Sequence, residues 1–311
     1  MKTAQNLKWA LVLSGGGAKG IAHIGVLKAL EEAGFPAPSL VVGTSMGAIV
    51  GGLYVCGMSP GEISRFTLEE FDMGRYLDSF VFRLSGPVGR VFQAGQILGS
   101  LAGKRGIDSG ERILLLLEGL TRGKTFGETR IPFRCNAVDL VSGEHIIFDR
   151  GSVAKAVRAS MSFPFFFEPY IEGDRCLVDG GLADNMPVSV ARKAGFKRIL
   201  AVDVGNFGPR SLGEMKTAPQ VVYRCLETVL YLMRRPLARA DLTIRAADAA
   251  TPFSFFRKKE LIALGERAVK ENMPVMKAFF GSGPGAWAIR RRNRDCGVRL
   301  ESGPPNNAGL V

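Results

Sequence analysis

The sequence predicts an α/β fold in which a mostly parallel sheet carries helices on both faces. Three observations predict it. Strand-like and helix-like patterns alternate over residues 9–58, and strands and helices recur beyond residue 130. The first strand candidates, Trp9-Ala10-Leu11-Val12-Leu13 and Leu40-Val41-Val42, are unbroken apolar runs, as expected where both faces of a sheet are covered. Short glycine-rich turns, Ser14-Gly15-Gly16-Gly17 and Gly43-Thr44-Ser45, join each of these strands to the next helix.

The first helix runs to about Ala33, with Ile21, Ile24, Leu27 and Leu30 on one face and Gly34 where a C-cap glycine belongs. The second, from Met46 to Met58, is apolar all round and reads as buried. Residues 59–110 are rich in Gly, Phe and Arg; they suit either connecting helices or a lid, and the pattern does not choose. Residues 111–120 look helical. Two strands, 133–139 and 144–148, form a hairpin around Ser142-Gly143, followed by a helix from about Ser152. Cys176-Leu177-Val178-Asp179 is a strand ending at Gly180-Gly181, and Pro187 opens a helix stopped by Gly195. A buried strand over 198–204, a long amphipathic helix within 214–235, a strand near 241–245 and a helix near 259–271 complete the set. The simplest division is one domain over 1–280 and a basic, disordered tail over 281–311, where Gly, Pro, Asn and Arg dominate.

With 311 residues, 46% hydrophobic and 23% charged, the chain can bury a sizeable core. Its net charge of +12 suits solubility or attraction to a polyanion, and charge alone does not decide. The five cysteines are widely spaced with no C-x-x-C pair, which argues against a disulfide framework or a zinc site and fits a reducing compartment. No charged residue occurs from 33 to 61, yet prolines and glycines break that stretch well below the ~20 apolar residues a membrane helix needs. The N-terminal apolar run is too short for a signal peptide. The expected location is the cytoplasm, with peripheral contact at the inner membrane surface.

Gly43-Thr44-Ser45-Met46-Gly47 is G-x-S-x-G between a strand and a helix. That context pushes the serine out at the strand's carboxyl end, on a turn so sharp that Gly43 and Gly47 must be small. The helix N-terminus beneath it favours developing negative charge. A helix cap is the plain alternative for Ser45; the flanking strand and buried helix favour a nucleophile.

A nucleophilic serine needs a base. The chain has only His23 and His145. His23 lies in the first helix. His145 follows Asp139 in order but sits in a hairpin without a strand-end turn. A carboxylate acting directly is therefore favoured, and Asp179 at the end of an apolar strand, before Gly180-Gly181, is the best candidate. Burial would raise its basicity above that of an ordinary carboxylate. Read alone, Asp179 is an ordinary turn aspartate.

Gly15-Gly16-Gly17-Ala18-Lys19-Gly20 matches G-x-G-x-x-G, but no acidic residue ends the second strand to hold a ribose, and Lys19 lacks the Ser or Thr of a P-loop. An oxyanion hole built from the N–H groups of Gly15, Gly16 and Gly17 is the better reading. Phe163-Pro164-Phe165-Phe166-Phe167 suits an acyl pocket, a bilayer contact or the core.

These blocks resemble the patatin-like phospholipases. Residues 15–20 are similar to that family's glycine-rich motif, 43–47 to its nucleophile elbow, and Asp179-Gly180-Gly181 to its aspartate motif. Arg158-Ala159-Ser160-Met161-Ser162-Phe163-Pro164 and Asn185-Met186-Pro187 resemble the flanking segments, and order and spacing agree over 9–204. The resemblance implies a three-layer α/β/α fold and a Ser–Asp dyad without histidine. It implies hydrolysis of phospholipid, lysophospholipid or related lipid esters with no metal and no cofactor. Carried over, Ser45 is the nucleophile, Asp179 the base, and Gly15, Gly16 and Gly17 the oxyanion donors. Met46 stands where a smaller residue is frequent. A silent lipid-binding or regulatory protein that kept the fold is the alternative. No nucleic-acid partner is expected, and the oligomeric state is left open.

Overall fold

The computed structural model describes residues 7–76, 105–164, 166–205, 207–209, 211–216, 218–233, 239–248 and 255–281. Residues 282–311 of the tail and residues 77–104 of the ambiguous stretch lie outside them.

Among the described residues eight strands form one sheet: β1 (Ala10–Leu13), β2 (Leu40–Gly43), β3 (Phe133–Asp139), β4 (His145–Phe148), β5 (Tyr170–Glu172), β6 (Arg175–Asp179), β7 (Ile199–Asp203) and β8 (Leu242–Arg245). The ladder runs β5-β6-β3-β2-β1-β7-β8, with β4 paired to β3 off that path. The pairs among β3, β2, β1, β7 and β8 are parallel; β3–β4, β3–β6 and β5–β6 are antiparallel.

The helices are α1 (Ala22–Glu32), α2 (Met46–Cys56), α3 (Pro60–Arg65), α4 (Met73–Tyr76), α5 (Glu111–Thr121), α6 (Val153–Ser160), α7 (Val188–Lys193), α8 (Ala218–Met233), α9 (Lys258–Glu271) and α10 (Met273–Phe280). Alternate strand residues enter two separate cores, as the period of two demands. Leu11, Leu13, Val41, Leu200 and Val202 join the large one with α1, α2, α6 and α9. Ala10, Val12, Leu40, Val42, Ile199 and Ala201 pack on α7 in the smaller one. The sheet is thus a middle layer between helices.

Local chemistry sets the element ends. Ser59 caps α3 in a reciprocal box with Glu62, and Pro60 follows it as the first helical residue. Gly34, just past α1, takes φ +68, a left-handed value that glycine adopts freely. The sheet is mostly parallel, as expected; its antiparallel pairs are the expected hairpin β3–β4 together with β3–β6 and β5–β6. β5, α10 and the 3₁₀ turn Gly17–Ile21 that precedes α1 carry no signal in the sequence pattern. α7 begins at Val188, one residue after the expected start, with Pro187 as its N-cap.

Tight helix packing locks α1 in place. A Cβ on Gly25 would lie 1.9 Å from the Ile262 carbonyl oxygen, and one on Gly265 would lie 1.9 Å from the Ala22 carbonyl oxygen. The α1 and α9 backbones touch there, which only paired glycines permit.

Candidate active site

The elbow forms because β2 must turn abruptly into α2. Ser45 takes φ 54 and ψ −121, a strained backbone for a non-glycine residue. A Cβ on Gly43 would lie 2.5 Å from the Gly47 carbonyl oxygen, and one on Gly47 would lie 2.3 Å from that of Leu13. Both positions therefore require glycine. The turn is held by Thr44, whose hydroxyl donates to Asn136 Oδ1 at 2.8 Å, and by Ser160, whose Oγ accepts the Ser45 N–H at 3.0 Å.

Asp179 ends β6 and is 2% exposed. Its N–H donates to the Ser162 carbonyl at 3.0 Å, and its Oδ1 accepts the Gly181 N–H at 2.7 Å. Burial pushes its carboxyl up to about 6; the Ser45 hydroxyl, donating toward it, and the Gly181 N–H pull the other way. Gly180 lies where a Cβ would meet the Asn136 backbone oxygen at 2.4 Å. Asn136 also binds the Gly180 and Asp184 carbonyls through Nδ2, so one side chain ties the serine turn to the aspartate turn.

The glycine loop differs from expectation in one respect. The Gly15 N–H donates to the Asn185 carbonyl at 3.0 Å, so Gly15 is not a free oxyanion donor. Gly16 and Gly17 keep the role open, since no acceptor among the described residues takes their N–H groups. Gly17 has φ 57, which favours glycine, and a Cβ on Gly16 would strike Val204 at 2.6 Å.

Ser45, Asp179, Gly15, Gly16, Gly17 and Gly181 all line one cavity of about 510 Å³. Most of its wall is apolar, from α2 (Ile49, Val50, Leu53), α5 (Ile113, Leu117, Leu120) and Phe163, Phe166 and Phe167. The aromatic run thus faces the cavity in part. Phe256, at the same cavity, is 86% exposed.

Neither histidine is among the residues that line the cavity. His145 meets Asn136 Nδ2 at 3.0 Å on β4, and Asp139 holds the hairpin turn by accepting from Val141, Cys176 and Ser142. His23 is fully buried against Ser14. Motif reasoning gave no role to Ser160, Asn136 or the Asn185 carbonyl. Their work is to bind backbone groups far away in sequence, which no local pattern announces.

The sequence model of the family described as patatin-like phospholipase matches residues 11–192, more than half of the chain. The chain belongs to the patatin-like phospholipase family. It is similar to Lysophospholipase NTE1 of Saccharomyces cerevisiae, 34% identical over 211 residues that make up 65% of this chain and 11% of that protein. It is also similar to Patatin-like phospholipase domain-containing protein 6 of Mus musculus, 32% identical over 199 residues, 63% of this chain and 13% of that one. The chain therefore spans about a tenth of the length of these relatives. Among solved structures it resembles VipD from Legionella pneumophila, with a TM-score of 0.48 at 18% identity, covering 85% of this chain and 67% of that one.

Proposed function

We propose that this family member hydrolyses carboxylic esters of lysophospholipids and related lipids, with Ser45 as nucleophile and Asp179 as general base. One observation carries the reading: a buried carboxyl, raised to about 6, faces a serine hydroxyl on a strained elbow at the end of an apolar cavity. A base with that pKa is ionised at neutral pH yet basic enough to take a proton. Ser45 Oγ attacks the ester carbonyl carbon as its proton passes to Asp179. The oxyanion is held by the Gly16 and Gly17 N–H groups, aided by the N-terminus of α2. Collapse releases the alcohol, which takes the proton from Asp179. Water, deprotonated by Asp179, then frees the acid from the acyl-enzyme. The names of the relatives support lysophospholipids as first substrates.

Peripheral docking on a lipid surface is part of this reading. Phe256 stands exposed at the cavity, and the net charge of +12 suits anionic lipid. Among the described residues no helix is long and apolar enough to cross a membrane. The test compares wild type with Ser45→Ala on a panel of acyl esters, alongside labelling by a fluorophosphonate. Turnover and labelling that both need Ser45 are expected; equal turnover in the two proteins, or no labelling, would leave a lipid-binding protein in place of an enzyme.

A further inference from the structure

His23 is a buried titratable side chain close to the site that the chemistry above leaves unused. Its Nε2 lies 2.8 Å from the Ser14 carbonyl oxygen. A carbonyl has no hydrogen to give, so Nε2 carries the proton and donates. Nδ1 is buried with no partner. A proton there would be a stranded donor, so the ring is neutral, in agreement with burial lowering its pKa to about 4.

The bond matters because of which peptide it holds. The Ser14–Gly15 peptide is planar, so fixing its two ends fixes its orientation. His23 takes the carbonyl end, and the Asn185 carbonyl takes the Gly15 N–H end at 3.0 Å. The next peptide, Gly15–Gly16, has its carbonyl held by Asn185 Nδ2 at 3.2 Å, and its N–H therefore points the opposite way. That N–H is the first of the two donors with no acceptor among the described residues. The remaining holds on Ser14 come from β7 and its exit: Val202 accepts its N–H, and the Val204 N–H donates to its Oγ. His23 is the hold from the α1 side. It is itself fixed, since Ala22 lies directly beneath Gly265 in the α1–α9 contact.

We propose that His23 is a positioning residue of the reaction: through its bond to the Ser14 carbonyl it orients the turn that aims the Gly16 and Gly17 amides at the developing oxyanion. The inference rests on the acyl-hydrolase reading above. It places His23 in the transition-state machinery without contact to substrate, so its removal affects the oxyanion more than the bound ester.

A trifluoromethyl ketone with a long acyl chain separates the two. Ser45 Oγ adds to its carbonyl carbon, the hydroxyl proton passes to Asp179, and the former carbonyl oxygen becomes an anion in the hole. His23→Phe keeps a ring of similar size and loses the donor; His23→Gln keeps an N–H. For His23→Phe, kcat is expected to fall by about 10- to 100-fold, in the range set by losing or misplacing one oxyanion donor. Ketone affinity should weaken at least about tenfold more than KM changes, with His23→Gln recovering most of the loss. A ketone-to-KM ratio shifted by less than tenfold overturns the inference. Should His23→Phe fail to fold, ¹⁵N NMR of the wild type decides. An Nε2–H ring whose Nε2 resonance moves on ketone binding is expected; an Nδ1–H ring, or one indifferent to the ketone, overturns it. A wild type that neither cleaves esters nor takes a fluorophosphonate would sink the acyl-hydrolase reading itself, before any variant is made.

Discussion

Gly43 and Asp179 stand nearly end to end along one edge of β3, the first paired with Cys135 and the second with Ala137. The hydrogen bonds fix the edge. Groups on even-numbered residues of a strand point to one side, and here Val41 donates to the Pro132 carbonyl while Leu140 donates to that of Cys176. Asp139, odd-numbered, donates instead to Glu144 on the β4 side. β2 thus arrives from one end and β6 from the other, and where their ends approach, the Ser45 hydroxyl faces the Asp179 carboxylate.

The strain at Ser45 predicts a trade between stability and activity. Ser45→Gly relieves a positive φ at a cost-free position for glycine. It should stabilise the fold by about 1 kcal/mol, seen as a small rise in Tm, while ester turnover disappears.

The buried carboxyl predicts two linked pH effects. Ester turnover should fall about tenfold per pH unit below about 6, where Asp179 takes up its proton. In stability the sign is opposite to that of a salt-bridged aspartate. With its pKa raised from 3.8 to about 6, the group favours the folded state below the unfolded value and withdraws that support as pH rises through about 6. Its ionisation then opposes folding by about 3 kcal/mol above that pH. Asp179→Asn should be inactive yet more stable than wild type at pH 8 by about 1–3 kcal/mol, with the gain gone near pH 4 in urea titrations. A wild type more stable than Asp179→Asn at pH 8 would contradict this.

Gly25→Ala tests a contact far from the chemistry. The added methyl would meet the Ile262 carbonyl at 1.9 Å, forcing α1 and α9 apart. A loss of about 3 kcal/mol or more is expected, against a change within about 0.5 kcal/mol for Gly127→Ala, whose Cβ meets nothing. Comparable Tm values for the two would refute the close-packed interface.

Arg158 predicts a chain-length effect. Only 2% exposed, it donates through Nε to Gly110 and through Nη2 to Ser109 and Glu168, binding the approach to α5 to the segment that carries Phe166 and Phe167. Lysine cannot reproduce that fork. Arg158→Lys should lower kcat/KM for long-chain esters by about tenfold while short-chain esters, which need little of the wall, stay within about threefold. Equal losses on both would point to general damage instead.

Phe256 predicts an interface effect. Being 86% exposed, it can become Asp with almost no change in stability. Turnover of anionic vesicles should drop several-fold, with monomeric short-chain esters unaffected; unchanged vesicle turnover would remove Phe256 from the docking surface.

By itself the sequence determined the alternation of strands and helices, the sharp turn at 43–47 and the choice of Ser45 and Asp179 as the candidate pair. The sterics of a sharp turn and the periods of apolar residues show within a few neighbouring positions, and the scarcity of histidine is a matter of composition. Only the tertiary structure decided that β6 runs against β3, that Asp179 is buried so that its carboxyl is pushed up to about 6, and that Gly15 spends its N–H on Asn185 while Gly16 and Gly17 do not. It likewise turned His23 from an ordinary helix residue into a hold on Ser14. Each of these depends on backbone groups brought together from distant parts of the chain, and hydrogen-bond partners at that distance leave no trace in the periodicity of either segment.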